Sequence, residues 1–241
     1  MAADTLQGEV CRALDPMKLF LDSADCEQWK LPPGAPPVQG VTTNPTLVKQ
    51  AGLPVSLGSY CQLLEQAVSA GMAELMLQLP SPELQLSMDW ARQLTRLARQ
   101  SQLRLTMKLP CHPQWEDLAR ALRSEGVPIL LTGLANPVQL LWAQGLGANF
   151  VAPYLGRLHA DGRDVWALVK ACIALQTDGP QLVAASIKTA DVLAQLIAQG
   201  AYAATVRPEF VSALVVDELT LAAMAQFDAD TLASTRHNPP T

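Results

Sequence analysis

Residues Leu103–Pro110 read LRLTMKLP, a run in which apolar and polar side chains alternate. Because successive side chains of a β-strand point to opposite faces, a strand here would carry its leucines and methionine on one face. Arg104, Thr106 and Lys108 would lie on the other face. A lysine at the end of such a strand is a candidate for covalent chemistry. The ordinary alternative is a lysine that buries its aliphatic stem and keeps its amine in solvent.

Similar runs recur along the chain, and the segments that separate them have apolar residues at the helical period. The eight predicted strands cover residues 18–23, 38–43, 74–79, 103–109, 128–132, 149–154, 182–188 and 202–206. The best-defined predicted helices cover residues 82–100, 115–124, 164–176, 189–198 and 208–226. Thr189 is the predicted N-cap of one of these helices, and Gly200 follows it as the predicted C-cap.

Strict alternation of strands and helices without a long polar linker predicts one α/β domain, and eight units predict a closed (β/α)8 TIM barrel. The alternative is an open, doubly wound sheet. Against it, the sequence has no GxGxxG after the first predicted strand and no GxxxxGK[ST]. We expect the barrel to span residues 17–228, with an extension at residues 1–16 and a tail at residues 229–241.

The composition is that of a chain with a large apolar core and no basic surface. Hydrophobic residues make up 49% and charged residues 16%, with a net charge of -5 and a pI near 5.2. This charge predicts a small-molecule partner and no nucleic acid. The five cysteines form no CxxC pair and the three histidines lack metal-ligand spacing, so we expect reduced thiols, a cytoplasmic location and no metal. Without about 18 consecutive apolar residues or a basic, apolar start, we also expect neither membrane association nor secretion.

Most predicted strands end in a polar residue on the face opposite an aliphatic stripe. In a barrel one strand face points to the lumen, and active sites lie at the C-terminal strand ends. For the seventh strand we expect Val183, Ala185 and Ile187 to face the helices. Ser186 and Lys188 would then face the lumen. We therefore predict a polar site in the lumen, whose strand-end residues are Asp22, Asn44, Gln78, Lys108, Thr132, Tyr154, Ser186 and Lys188.

These residue types together suit Schiff-base chemistry, in which a neutral amine attacks a ketone. Desolvation and a second cation such as Lys188 would lower the pKa of Lys108 from about 10.4 toward neutrality. The iminium that forms then withdraws electrons from a neighbouring carbon–carbon bond. Cleavage of that bond needs a proton shuttle, for which Asp22 and Tyr154 are the titratable candidates.

Several of these residues also have an ordinary structural explanation. Asp22 could cap a helix N-terminus, and Asn44 before Pro45 is a common helix start. Ser186 could fill space, and Lys188 could be a solvated charge at a strand end. The five tryptophans lie in predicted helical segments, where packing is the expected role.

Four stretches resemble the transaldolase and fructose-6-phosphate aldolase family. They are LFLDSAD at 19–25, GVTTNPTLV at 40–48, MKLP at 107–110 and FVAPYLGR at 150–157. GVTTNPT is the most specific of them because it is close to the TTNPS signature of the family. The resemblance covers residues 17–226 and implies a (β/α)8 barrel, sugar phosphate substrates and no cofactor.

The resemblance also implies a role for each residue that matches the family pattern. Lys108 would form the Schiff base with the ketose, and Asp22 would assist proton transfer. The residues that would hold a catalytic water are Gln78, Thr132 and Tyr154. The implied ketose-binding residues are Thr43 and Asn44, and the implied phosphate-binding residues are Arg157, Ser186 and Lys188.

Three positions place the chain nearer to the aldolase subgroup of this family. Transaldolases carry Glu near the end of the third strand and commonly Phe in the sixth, whereas the aldolases carry Gln and Tyr, as here at Gln78 and Tyr154. Leu130 stands where transaldolases typically have Asn. Two departures bear on substrate preference: a two-residue insertion within CHPQWED at 111–117, and His159 where the aldolases often have Asp.

We expect a class I aldolase similar to fructose-6-phosphate aldolase, which transfers or releases a dihydroxyacetone unit. One alternative is a transaldolase of the pentose phosphate pathway, acting on sedoheptulose 7-phosphate and glyceraldehyde 3-phosphate. Another is a phosphate-binding barrel that has lost turnover through its altered loop. A metal-dependent aldolase is disfavoured by the scattered histidines. The resemblance also implies a homo-oligomer, and the apolar segment 210–224 could cover a neighbour, although a helix packed on its own barrel explains that segment equally well.

Overall fold

The chain forms a closed barrel of eight parallel strands in sequence order, with the eighth strand hydrogen-bonded to the first. The computed structural model describes residues 16–237, so the predicted N-terminal extension, apart from Pro16, lies outside the described residues. The predicted (β/α)8 barrel is confirmed. Its strands are β1 (Lys18–Asp22), β2 (Gly40–Thr42), β3 (Glu74–Gln78), β4 (Arg104–Pro110), β5 (Ile129–Leu134), β6 (Phe150–Pro153), β7 (Gln181–Ala184) and β8 (Ala203–Val206).

Helices surround the barrel and connect its strands. The α-helices are α1 (Pro45–Gln50), α2 (Leu57–Ser69), α3 (Leu84–Gln100), α4 (Glu116–Ser124), α5 (Pro137–Gly145), α6 (Leu155–Ala160), α7 (Val165–Leu175), α8 (Ala190–Gln199), α9 (Pro208–Val215) and α10 (Glu218–His237). The connection from β1 to β2 contains only a 3-10 turn at Cys26–Trp29, since the four prolines at 32–37 cannot donate helical hydrogen bonds. At α8 the predicted caps are confirmed: Thr189 accepts a hydrogen bond from the Val192 amide, and Gly200 ends the helix in the left-handed conformation.

Side chains along each strand alternate between the lumen and the helical layer. Outward residues such as Leu21, Leu75 and Val151 pack in the large core beneath the helices. Inward residues form an apolar plug across the lumen, and its members are Phe20, Met76, Leu130, Ala152, Val183 and Ala203. On most strands the inward residue two positions after the plug is polar, so the plug is the floor of a polar chamber at the C-terminal strand ends.

The seventh strand departs from the predicted alternation. Val183 belongs to the lumen plug, whereas Leu182 and Ala184 lie in the outer core, which is the reverse of the predicted orientation at Val183. The strand ends at Ala184, and Ser186 adopts a positive φ of 60°. This left-handed residue breaks the two-residue period, because the chain turns there instead of continuing as a pleated strand.

A second polar cluster lies at the N-terminal end of the barrel. Glu74 is buried, accepts a hydrogen bond from Thr106 at 3.3 Å and lies 3.5 Å from the Arg104 guanidinium. Lys18 donates to the hydroxyl of Tyr202 at 2.6 Å. Burial raises the pKa of Glu74, although Arg104, Thr106 and Lys18 each oppose that shift. The plug therefore separates this cluster from the polar chamber at the opposite end.

The C-terminal segment forms two helices where one was predicted over 208–226. The chain is extended at Val216, and the Asp217 side chain accepts a hydrogen bond from the Leu219 amide, which starts α10. The predicted one-helix segment was therefore wrong. α10 also continues past residue 229, where the tail was expected to begin.

Much of α10 is exposed although it is rich in apolar residues, with Leu219 82% and Phe227 66% exposed. Within the described residues, the stretch Pro208–Ser234 is long and apolar enough, by length and composition, to cross a membrane. Its most apolar window has a mean hydropathy of 1.5 and is 6% buried in the fold. This helix therefore presents an apolar surface that the barrel itself does not cover.

Strands β2 and β3 approach closely at Gly40, which pairs with Glu74. A Cβ atom at Gly40 would lie 1.9 Å from the Glu74 carbonyl oxygen. The added Cβ atom would be fixed to the backbone of β2, and the oxygen belongs to the backbone of β3. In a closed barrel no side-chain rotation can therefore relieve this contact. The first residue of β2 must therefore be glycine.

We predict that Gly40→Ala lowers the free energy of unfolding by about 3 kcal/mol or more, since the added methyl group forces β2 away from β3. Gly145→Ala is the matched control, because a Cβ atom there meets nothing within 4 Å. Chemical denaturation of both variants measures the difference. Equal stability of the two variants would contradict the close packing of β2 on β3.

Candidate active site

A cavity of about 710 Å³ opens at the C-terminal ends of the strands. Asp22 of β1, Gln78 of β3 and Thr205 of β8 contribute to its inner wall. Val206 of β8 also lines it, and the other lining residues follow the strands: Asn44, Pro45, Thr46, Leu47, Gln50, Tyr154, Gly156, Arg157, Ala160, Ser186, Ile187, Lys188, Arg207, Glu209 and Phe210. Six of the predicted strand-end residues therefore line one cavity. Lys108 and Thr132 are buried beside it.

The amine of Lys108 lies inside the barrel and is almost without solvent. The residue is 5% exposed, and Nζ donates a hydrogen bond to the Thr43 carbonyl oxygen at 2.8 Å. Burial lowers the pKa of Lys108, and the nearby Asp22 carboxylate opposes this lowering. The sequence analysis named desolvation and Lys188 as causes of a lowered pKa. The structure gives desolvation as the cause of the lowering. The predicted solvent-exposed alternative for Lys108 does not hold.

Asp22 takes part in a hydrogen-bonded group that joins three strands. Its Oδ1 accepts a hydrogen bond from the Thr42 hydroxyl at 3.1 Å, and the Thr42 and Thr205 hydroxyls are 2.7 Å apart. The helix-cap alternative for Asp22 is wrong, since Asp25 caps the 3-10 turn that follows β1. Asp22 is thus held inside the chamber, at a position where it influences the amine of Lys108.

Tyr154 and Thr132 form a second hydrogen-bonded pair across β5 and β6. The Thr132 hydroxyl donates to the phenol oxygen of Tyr154 at 2.8 Å. Gln78 lines the cavity and is paired in register with Lys108. Its backbone carbonyl accepts a hydrogen bond from the buried Tyr60 hydroxyl at 2.7 Å, and burial raises the pKa of Tyr60 to about 12. The phenol, the hydroxyl and the amide could together hold a water molecule near the amine.

The two residues that follow β2 contribute different groups to the site: Asn44 its side chain and Thr43 its backbone carbonyl. The side chain of Asn44 accepts hydrogen bonds from the Thr46 and Leu47 amides and caps α1, so the ordinary explanation of Asn44 is correct. Asn44 also lines the cavity, which leaves its amide nitrogen available to a ligand. Thr43 is fully buried, and its backbone carbonyl rather than its side chain contacts Lys108.

Arg157, Ser186 and Lys188, which the resemblance implied as phosphate-binding residues, all line the cavity. The Arg157 guanidinium lies 4.7 Å from the centre of the Tyr154 ring. The amide of Gly156 donates to the Ser186 carbonyl at 3.0 Å. A Cβ atom at Gly156 would lie 2.7 Å from that oxygen, so glycine lets the turn after β7 lie against the start of α6.

Sequence reasoning missed Thr42, Thr205 and the group Arg207, Glu209 and Phe210. The two threonines lie on the lumen faces of β2 and β8, and extending the alternation argument to those strands would have found them. Arg207 and Glu209 lie 3.6 Å apart at the cavity rim. No pattern in the sequence marks them, because Arg207 is the N-cap of α9 and Glu209 lies in its first turn, as at an ordinary helix start.

The altered loop after β4 packs away from the cavity. None of residues 111–117 lines it. Trp115 is buried in the outer core, and the Cys111 amide donates to the Thr132 carbonyl at 2.8 Å. Among residues 16–237 no three His, Cys, Asp or Glu side chains are grouped as a metal site.

Relatives of similar length support the resemblance that the sequence suggested. A protein of Bartonella quintana is 31% identical over 209 residues, which cover 85% of this chain and 91% of that protein. One of Bartonella bacilliformis is 30% identical over 219 residues, covering 89% of this chain and 96% of its own length. One of Sorangium cellulosum is 29% identical over 219 residues, which cover 89% of this chain and 96% of that protein. All three are named "Probable transaldolase".

A solved structure shares the fold at much lower similarity. A mutant of flavocytochrome B2 superimposes with a TM-score of 0.53 at 13% identity. The match covers 83% of this chain and 58% of that chain, so this chain spans less than two thirds of its length. At this identity the likeness concerns the barrel alone.

The sequence profile of one family extends over almost the whole barrel. The profile described as Transaldolase/Fructose-6-phosphate aldolase matches residues 19–238, from β1 to the end of α10. This range contains the cavity, Lys108 and each of the four stretches that resembled the family. With the two relatives at 30% identity or more, it shows that the chain belongs to the transaldolase and fructose-6-phosphate aldolase family.

Proposed function

We propose that the protein is a class I aldolase that acts on a sugar phosphate through an imine at Lys108. The observation that carries the proposal is the buried amine of Lys108, whose pKa is lowered by desolvation and which lies among polar side chains beside a large cavity. A lowered pKa increases the fraction of neutral amine, which is the nucleophilic form. The proposal deepens the family assignment, which by itself supports a transaldolase-type enzyme.

In the proposed reaction the Lys108 nitrogen bonds to the ketone carbon of the substrate. The carbonyl oxygen takes up two protons, one from the Lys108 nitrogen and one from water in the cavity, and leaves as water; the product is an iminium ion that keeps one N–H. The Thr43 carbonyl, which accepts a hydrogen bond from Nζ in the free protein, can accept one from the iminium N–H as well. The positive iminium then accepts the electron pair of the adjacent carbon–carbon bond when that bond breaks.

We assign proton transfer to two groups of residues, one at Asp22 and one at Tyr154, Thr132 and Gln78. Asp22 is near enough to Lys108 to influence its charge and can receive the proton that leaves the substrate hydroxyl during cleavage. Tyr154, Thr132 and Gln78 would hold the water that protonates the remaining enamine. Protonation of the enamine at carbon regenerates the iminium ion. Water then hydrolyses this iminium and releases dihydroxyacetone from Lys108.

The substrate phosphate would lie against Arg157, Ser186 and Lys188. A guanidinium and an ammonium on one wall of the cavity provide the charge, and the Ser186 hydroxyl provides a neutral donor. The Asn44 amide nitrogen would contact the hydroxyls of the ketose, since its oxygen is occupied in capping α1.

Two residues favour the aldolase subtype over the transaldolase subtype. Tyr154 presents a hydroxyl next to the cavity, and Gln78 carries a neutral amide where a carboxylate is typical of transaldolases. A phenol that helps to protonate the enamine favours release of the product over transfer to a second aldehyde. The relatives are named probable transaldolases, so transfer within the pentose phosphate pathway is the second candidate.

A binding barrel without turnover is less well supported than either enzyme. That alternative depended on the altered loop at 111–117, and none of its residues lines the cavity, while Cys111 and Trp115 are buried in the outer core. The polar residues at the strand ends are also hydrogen-bonded in pairs rather than scattered. We further place the enzyme in the cytoplasm, where the free thiols of Cys26, Cys61, Cys111 and Cys172 would stay reduced.

We also propose that the protein is a homo-oligomer in which α10 packs on a second copy. Its apolar residues are exposed along its length, with Leu219 82%, Met224 55% and Phe227 66% exposed. An apolar surface of this kind on a soluble chain marks an interface. An apolar groove formed by Phe210, Leu214 and neighbouring side chains of the same barrel offers a surface that such a helix can cover.

We predict that Lys108→Met abolishes covalent trapping of the substrate. Borohydride reduction in the presence of dihydroxyacetone or fructose 6-phosphate should add the mass of the bound sugar less one oxygen atom to the peptide that contains Lys108, because imine formation loses water and reduction adds two hydrogens; the variant should show no adduct. The melting temperature of the variant should not fall, because the substitution removes a desolvated amine. Lys170→Met, at an exposed position on α7, should trap as the native protein does. An adduct on the Lys108→Met protein would refute the assignment.

We predict that Gln78→Glu combined with Tyr154→Phe raises the ratio of transfer to release by about tenfold, which corresponds to about 1.4 kcal/mol between the two barriers. The assay compares free dihydroxyacetone with fructose 6-phosphate formed from sedoheptulose 7-phosphate and glyceraldehyde 3-phosphate. Gln50→Glu adds the same charge at the cavity rim and is the control. An unchanged ratio would mean that other residues set the subtype.

We predict that Leu219→Lys with Phe227→Lys converts the oligomer to a monomer near 25.9 kDa in sedimentation velocity. Charged side chains at these positions oppose burial against a second copy. Ile197→Lys on α8, which is 56% exposed, is the matched control and should leave the oligomer intact. A native protein that is monomeric and floats with lipid vesicles would show instead that α10 binds a membrane.

A further inference from the structure

Three side chains form a continuous hydrogen-bonded chain across the junction where the barrel closes. Thr205 lies on β8, Thr42 on β2, and Asp22 on β1 between them. The two hydroxyl oxygens are 2.7 Å apart, and the Thr42 hydroxyl donates to Asp22 Oδ1 at 3.1 Å. These contacts join the first, second and last strands around the carboxylate that we assign to proton transfer.

The direction of the chain follows from the number of protons available. An ionised carboxylate can only accept, so the single hydroxyl proton of Thr42 is used in the bond to Asp22. Thr42 must then accept the second bond, and Thr205 must donate it. In the ionised state the order is therefore Thr205 to Thr42 to Asp22.

The order of these hydrogen bonds affects the orientation of the Asp22 carboxylate because both threonines are buried. Thr42 is fully buried and does not line the cavity, so water does not compete for its hydroxyl; Thr205, which is 3% exposed, lines the cavity. In such surroundings each hydrogen bond polarises the next, and the chain is stiffer than its separate bonds. Among residues 16–237, Thr42 is the side chain that the structure shows donating to Asp22. The orientation of the carboxylate thus depends on Thr42, and that of Thr42 on Thr205.

The chain can also serve Asp22 after it has taken up a proton. A protonated carboxyl group can donate to Thr42, and Thr42 can then donate to Thr205. The Thr205 proton is free to turn into the cavity, which this residue lines and Thr42 does not. Both protonation states of Asp22 are satisfied by rotation of hydroxyl groups, without movement of the strands.

We propose that Thr205 is a positioning residue that acts through Thr42 to hold Asp22 for proton transfer in both of its protonation states. This inference rests on the proposed Schiff-base function. In this role Thr42 does not contact the substrate. It predicts that loss of the Thr205 hydroxyl slows turnover while substrate binding is retained, because the phosphate and ketose contacts are made by other residues.

The test measures kcat, KM and borohydride trapping for the native protein and a set of variants. Thr205→Val should lower kcat about tenfold with KM changed less than about twofold, and Thr205→Ser should restore kcat because it keeps the hydroxyl. Thr205→Ala serves in place of Thr205→Val if the valine disturbs folding, which melting curves report. Thr95→Val, outside the cavity and with no hydrogen bond from its hydroxyl among the described residues, is the control.

A double-mutant cycle separates a positioning role from a general loss of packing. If Thr205 acts only through Thr42, the double variant Thr42→Val with Thr205→Val should be no slower than Thr42→Val alone. If the effects of the two substitutions on kcat multiply in the double variant, the inference is overturned. It is also overturned if Thr205→Val leaves kcat unchanged while Lys108 is still trapped. Absence of a Lys108 adduct in the native protein would instead overturn the proposed function itself.

Discussion

Closure of an alternating parallel sheet into a barrel is the constraint on which the rest of this structure depends. Every strand must direct alternate side chains into one narrow lumen, so residues of one parity from all eight strands meet there. In this chain the inner positions are apolar at the middle of the strands and polar at their C-terminal ends. The barrel therefore has an apolar plug, and the polar side chains above it line the cavity or are buried beside it.

This arrangement explains why a lysine can be chemically unusual here. A buried ammonium loses its hydration, and the protein offers Lys108 one backbone carbonyl and the opposing charge of Asp22 in return. The pKa falls because the neutral amine loses less on burial than the charged one. Stability of the barrel thus maintains an amine in a state that favours attack on a carbonyl group. The same packing holds the hydroxyl pairs Thr42–Thr205 and Thr132–Tyr154 within hydrogen-bond distance.

Local pattern predicted the fold and the central part of the site because these depend on nearest neighbours along the chain. In β3, β4 and β5 the alternation of Leu77 with Gln78, Met107 with Lys108 and Leu131 with Thr132 placed each polar end residue correctly. The pattern failed at β7, where the positive φ of Ser186 interrupts the strand. It also joined α9 to α10, because apolar periodicity continues through the extended residue at Val216.

The sequence by itself determined that the chain is a (β/α)8 barrel, which family it belongs to, and that Lys108 lies near the C-terminal end of a strand, on its polar face. These features follow from the two-residue period, helix caps and short motifs, all of which are local. Only the tertiary structure decided that Thr205 meets Thr42, a residue 163 positions away, and that Gly156 admits the turn carrying Ser186 and Lys188. Such contacts depend on closure of the last strand on the first and on the close approach of two loops. No alternation within a single strand encodes either one.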